Sequence, residues 1–257
     1  MHQLLHCILA AGIMAGFASP AAAQVGEHPR DMPTLPDAEH LLELSDRSRN
    51  GWESYTVRTV IKNYEDGALK DDGSFEVSIK GADKTLVKFL NADTKGQYLL
   101  MLEDAMWIYM PNTRKPIRIT PLQRLLGNAS NGDVARTRYA GDYAPTCTGE
   151  ETVNGVPCYV LSLAAKREGA TYYRVEYWVR KADARPQKAE VYLNSGKHYK
   201  TILYSGFSRV QDKILLTEMT ILDRLREGRT TVMTFSDYAP QDVPEKYFNK
   251  DYLEKLR

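Results

Sequence analysis

Long apolar runs are scarce in this sequence: one near the amino terminus, from Leu4 to Phe17, is too short to cross a bilayer, and no later segment is longer. It leads into Ser19-Pro20-Ala21-Ala22-Ala23, the small-residue pattern of an Ala-x-Ala cleavage site. Residues 1–23 are therefore expected to be a secretory signal peptide, although they lack Lys and Arg and draw positive charge only from the amino terminus and His2. Cleavage after Ala23 would release a chain that begins at Gln24 into the periplasm. Cys7 has no small-residue box before it and leaves with the leader, so no lipid anchor is expected.

Net charge is also lacking. The 34 basic and 33 acidic residues all lie beyond the leader and nearly cancel, which removes the global field that nucleic acid or an anionic membrane would require. Histidine is sparse, and His28, His40 and His198 have no metal-ligand spacing. There is no Gly-x-Ser-x-Gly elbow, and the stretch Gly127 to Gly132 has no Lys after its last Gly to make a phosphate loop. The pairs Asp71-Asp72 and Glu150-Glu151 border turns, where solvated carboxylates are the default and a glycosidase pair would look the same. Tyr172 to Arg180 alternates aromatic and basic residues as an exposed strand face would. No enzyme and no cofactor is expected.

Residues 24–36, with Pro29, Pro33 and Pro36, read as a linker, and residues 37–257 as one domain. Ala38, Leu41, Leu42 and Leu44 share a helical face that Gly51 ends. From Trp52 onward the pattern becomes strands of alternating polarity, near 52–64, 73–80, 84–91, 97–102, 105–110, 115–119, 146–153, 156–164, 172–180, 186–193, 198–206, 213–222 and 229–236. Short turns such as Asp66-Gly67, Glu103-Asp104, Asn154-Gly155 and Glu227-Gly228 make the neighbours antiparallel. A helical turn is expected at Leu122 to Leu126 and a terminal helix from about Pro244 to Leu256. So many strands exceed what an open sheet sustains without curling or splitting, and the helices are too few to cover it. Two architectures stay open: a curled sheet with helices over an apolar cavity, or a sandwich filled by its own side chains.

The hairpin from Leu99 to Met110 is apolar on both faces. A turn at Glu103-Asp104 pairs Met101 with Met106 and Leu99 with Ile108, and alternation adds Met110 to that face. Leu100, Tyr98, Trp107 and Tyr109 fall on the other. Leu99, Met101, Met106, Ile108 and Met110 are the candidate ligand-binding residues, because unbranched Met adapts to variable acyl chains; plain core packing is the alternative. Cys147 and Cys158 are a candidate disulfide. The turn at Asn154-Gly155 sets Cys158 opposite Glu151, however, so a bridge needs a bulge or fold-back at Thr148-Gly149.

Ala105-Met106-Trp107-Ile108-Tyr109-Met110-Pro111 with Lys115-Pro116-Ile117-Arg118-Ile119, Gly149 to Leu161, Trp178-Val179 with Arg185-Pro186, and Ser195-Gly196-Lys197 resemble the outer-membrane lipoprotein-sorting proteins of the LolA-like superfamily. The likeness runs from about Trp52 to Tyr238. It implies a mainly β fold with a few short helices, in which a curved antiparallel sheet forms an incomplete (half) β-barrel lidded by helices over an apolar cavity. It further implies a monomeric periplasmic carrier of the acyl chains of lipoproteins or lipids, moving them from an inner-membrane exporter to an outer-membrane acceptor. The alternative in a different class is an accessory module that docks on a resistance-nodulation-division type exporter and carries nothing.

Overall fold

Period-two alternation fixes the sheet. The computed structural model describes residues 35–256 except Arg114, Arg136 and Thr137. The expected leader and cleavage site, and the expected linker up to Thr34, lie outside the described residues. Helix α1, Ala38–Arg47, is capped by the Asp37 carboxylate, which accepts from the amides of Glu39 and His40. A first run of strands follows: β1 Ser54–Glu65, β2 Ala68–Lys80, β3 Lys84–Phe89, β4 Tyr98–Leu102, β5 Ala105–Tyr109 and β6 Ile117–Ile119. A crossover then holds β7 Arg124–Leu126, β8 Ala129–Ser130 and the short helix α2, Asn131–Ala135. The second run is β9 Tyr143–Val153, β10 Val156–Ala165, β11 Arg174–Arg180, β12 Pro186–Tyr192, β13 His198–Val210, β14 Lys213–Asp223 and β15 Arg229–Pro240.

Each run is a meander, and β1 pairs antiparallel with β15 to join them in one 13-stranded sheet whose edges are β6 and β9. The sheet is curved and does not close into a barrel. Register shifts interrupt the β1–β15, β1–β2, β9–β10, β11–β12, β12–β13 and β13–β14 pairings, and such bulges add local twist that lets long strands curl. At Gly206, in the β13 bulge, an added Cβ would lie 2.9 Å from the Glu218 backbone nitrogen, so the strands approach this closely only at glycine.

The topology places the crossover. The chain leaves β6 at one edge and re-enters at β9 on the other, so residues 120–142 must traverse one face of the sheet. They do so inside the main core, where Ala129, Val134, Ala135 and Tyr139 pack with Ile61, Val87, Met101, Val175 and Ile221 from both halves of the sheet. The opposite face is covered locally. Leu86, Tyr98, Leu100 and Tyr109 meet Val243, Phe248 and Leu253 of the carboxyl-terminal segment.

Three local expectations are corrected. Residues 122–126 form no helical turn; they enter the β7–β8 hairpin, whose turn begins at Gly127 with φ +56°. The crossover's helix is α2, farther along, where Asp133 accepts from the backbone amide of Ser130 and caps it. The terminal helix is two 3-10 turns, Glu245–Phe248 and Lys250–Lys255, separated by extended Asn249, whose side chain caps the second. Finally, Cys147 and Cys158 are free thiols. A bulge does fall at Thr148, yet Cys147 pairs with Leu161 and Cys158 with Glu151. Cys147 packs against the main core, while Cys158 joins Val160 and Trp178 in a separate cluster.

Candidate ligand-binding groove

The face of the sheet that the crossover covers carries most of the candidate residues, and alternation selects which side chains line it. The β4–β5 register is Met101 with Met106, Leu99 with Ile108 and Tyr98 with Tyr109. Leu99, Met101 and Met106 are fully buried in the main core beside the crossover, and Ile108 is partly buried against them. Met110 is half-buried just past the end of β5 and is not part of that cluster. Leu100, Tyr98, Trp107 and Tyr109 face the carboxyl-terminal segment, so the hairpin is covered on both sides.

Between sheet and crossover the chain's own side chains fill most of the space. Small cavities of about 20 and 10 Å³ are bordered by Arg49, Asp133 and Met219. Larger openings lie toward the margins. One, of about 590 Å³, is lined by Phe75, Phe89, Ile108, Ile119 and Leu126 with Asp71 and Asp72. Another, of about 890 Å³, lies beside α1 and is floored by Leu41, Leu44, Trp52 and Ile214.

Polar groups buried in this interior tie its cover to the sheet. Lys200 of β13 is 1% exposed and donates to Asp133 of α2 at 3.1 Å. The same ammonium reaches the Tyr172 hydroxyl at 3.1 Å and Ser130 Oγ at 3.4 Å, and Tyr172 donates to Asp133 at 2.6 Å. Burial alone would raise the Asp133 carboxyl; the Lys200 charge and the hydrogen bonds from Tyr172 and Ser130 outweigh it and hold it below its ordinary value. Thr85 of β3 donates to the carbonyl of Ala135 at 2.9 Å, so α2 is tied to both halves of the sheet.

A second cluster ties α1 to the end of the crossover. Asp46 accepts from the backbone amide of Ala140 at 2.9 Å, and Ser45 and Tyr177 share a hydrogen bond at 2.9 Å. Arg49 is buried with its guanidinium 4.0 Å from the Tyr139 ring centroid. Its Nη1 lies 3.8 Å from Asp46 Oδ1, beyond hydrogen-bond reach, and neither atom has another hydrogen-bond partner among the described residues. Burial raises the Asp46 carboxyl to about 6, against the opposing pull of Arg49.

Between pH 6 and pH 4 the folded protein takes up a proton at Asp46 that the unfolded chain does not, so this group favours folding on acidification and the gain is lost as pH rises through about 6. Wild type should gain about 2 kcal/mol more than Asp46→Asn between pH 7 and pH 4.5, read from urea unfolding at the two pH values.

None of Arg49, Asp46, Asp133 and Lys200 was singled out by the sequence reading. Alternation did hold a signal for one of them: Lys200, Ile202 and Tyr204 occupy one face of β13, and a cation on an apolar face needs a partner.

Comparison with known proteins bears on what such a groove serves. A family model described as an uncharacterized protein matches residues 81–255. No curated protein gives a significant match. Among solved structures, a LolA superfamily protein from Nitrosomonas europaea is 33% identical, with a TM-score of 0.79 over 85% of this chain and 100% of its own. A DUF1329 family protein from Desulfovibrio piger, 24% identical, has a TM-score of 0.72 over 84% of this chain and 97% of its own. A domain from Vibrio parahaemolyticus, described as an outer-membrane lipoprotein-sorting protein, is 20% identical with a TM-score of 0.71 over 84% of this chain and 98% of its own. The latter two share the fold. With a third of its residues identical over the full length of the Nitrosomonas protein, and the curved open sheet in common, the chain belongs to the LolA superfamily.

Proposed function

We propose that this protein is a periplasmic carrier that buries the acyl chains of lipids or lipoproteins against the inner face of its sheet, acting by reversible binding without catalysis or a cofactor. The observation that carries the reading is the way that face is covered. Its apolar side chains meet α1 and a crossover holding only the short β7–β8 hairpin and α2, and buried polar contacts at Lys200–Asp133, Thr85–Ala135 and Asp46–Ala140 help fasten the cover. The cavities beside Arg49, Asp133 and Met219, about 20 and 10 Å³, are too small for a chain, so a chain seated there requires the cover to lift. Each methylene then buried contributes about 0.8 kcal/mol, and a pair of acyl chains could replace the lost packing. Delivery toward the outer membrane, an exporter as source and secretion with Gln24 as the first mature residue belong to the same reading.

Native mass spectrometry with organic extraction of the protein purified from its own periplasm tests it. Lipid or acylated protein recovered in stoichiometric amount, on a chain whose mass begins at Gln24, is the expected result. Repeated absence of lipid from a chain that still binds an exporter would replace the carrier by a docking module.

A further inference from the structure

The two larger openings differ in charge. Among the described residues, the 590 Å³ opening is bordered by Asp71, Asp72 and Asp93 against one cation, Arg124. The 890 Å³ opening beside α1 has five cations, Arg47, Arg138, Lys181, Arg185 and Lys213, against Glu53 and Asp183. A smaller pocket of about 250 Å³ adjoins it and shares Arg47, Asn50 and Arg138.

Several of these charges are already engaged. Arg185 pairs with Asp183, and Lys181 with Glu150. Arg138 forms a looser ion pair with Glu53, at 3.8 Å, and its charge also acts on the buried Asp46 carboxyl, while its own buried Nε has no hydrogen-bond partner among the described residues. Arg47 and Lys213 have no carboxylate partner among the described residues, and the Lys213 ammonium stands 5.9 Å from the Trp52 ring centroid. These three cations border a floor of Leu41, Leu44, Trp52 and Ile214, so a charge-neutralising anion and an apolar chain would be satisfied in the same opening. A free anion would use the cations and leave the floor wet. An uncharged amphiphile would use the floor and leave the cations unmatched.

We infer that the opening beside α1 is a binding site for the phosphate-bearing headgroup of an anionic acyl lipid, with Arg47, Arg138 and Lys213 on the headgroup and Leu41, Leu44, Trp52 and Ile214 under the first part of the chain. This rests on the carrier reading and adds to it a class of cargo and an orientation: headgroup at the basic end, away from the acidic opening.

Isothermal titration calorimetry of the purified protein with monomeric dioctanoyl phosphatidylglycerol, dioctanoyl phosphatidylcholine and inorganic phosphate separates the cases. The anionic lipid should bind about tenfold more tightly than the zwitterionic one, as expected for two or three partly exposed charge pairs. Arg47→Glu combined with Lys213→Glu should abolish that preference, while Lys95→Glu, an exposed charge elsewhere, should keep it. Arg47→Gln with Lys213→Gln, milder at the same positions, should show the intermediate loss if the reversed pair disturbs folding, which thermal unfolding reads directly. Equal binding of both lipids would overturn the headgroup site and leave the carrier standing. Inorganic phosphate binding as tightly as the anionic lipid would make this a simple anion site and overturn the lipid assignment. Failure of both lipids to bind would remove the carrier reading and the headgroup site with it.

Discussion

Replacing Lys200 by Met should lower the unfolding free energy by about 3–5 kcal/mol, among the largest single effects in the chain. The methylenes of Lys200 are matched by Met, so the loss is electrostatic: Asp133 is left ionised inside the core with its counter-charge gone. Tyr172 and Ser130 still donate to it, which limits the damage without neutralising it. Adding Asp133→Asn to Lys200→Met should recover most of the loss, because Asn still accepts from the Ser130 amide that caps α2 and the site is then uncharged. Urea unfolding of the two single variants and the double reads this as a coupling energy. A single-variant cost below about 1 kcal/mol would mean that water reaches the pair and that it does not fasten the crossover.

How much of this could be seen beforehand depends on the range over which each feature is determined. The strands of the large sheet were legible because alternation and turn chemistry are local. Glu103 and Asn154 take the positive φ that their short turns demand, and with those turns fixed the β4–β5 and β9–β10 registers follow. The interruption from Pro121 to Tyr143 was legible, but its internal structure was not. β7 and β8 are too short for a period, and Gly127 sits where it does because its Cβ would lie 2.7 Å from the Asn63 side chain on a strand distant in sequence. The Lys200–Asp133 pair spans 67 positions and forms only once the sheet has curled and the crossover has been laid over it. Arg49 gave no local sign at all, since Ser48-Arg49-Asn50 reads as an ordinary polar stretch after a helix. The terminal segment was read as one helix, whereas it breaks at extended Asn249, where Phe248 and Leu253 pack against Leu86, Tyr98, Leu100 and Tyr109 of the sheet.

The β4–β5 hairpin separates packing from binding, because neighbouring members of one face stand in different surroundings. Met106 is fully buried against the crossover, so Met106→Asp places an unpaired carboxylate where no water reaches and should cost about 4 kcal/mol or more. Ile108 lies on the same face but borders the 590 Å³ opening and is only partly buried, so an Asp there can turn toward solvent. Ile108→Asp should leave thermal unfolding within a few degrees of wild type while sharply reducing lipid loading, because the new charge joins Asp71 and Asp72 at the margin an acyl chain would have to pass. Trp107 faces the carboxyl-terminal segment instead, and Trp107→Asp should weaken that packing without changing the amount of lipid bound per folded molecule. Unfolding midpoint and lipid stoichiometry measured on the same three preparations decide the matter. Loss of loading in Trp107→Asp but not in Ile108→Asp would put the ligand on the convex side of the hairpin, beneath Phe248 and Leu253.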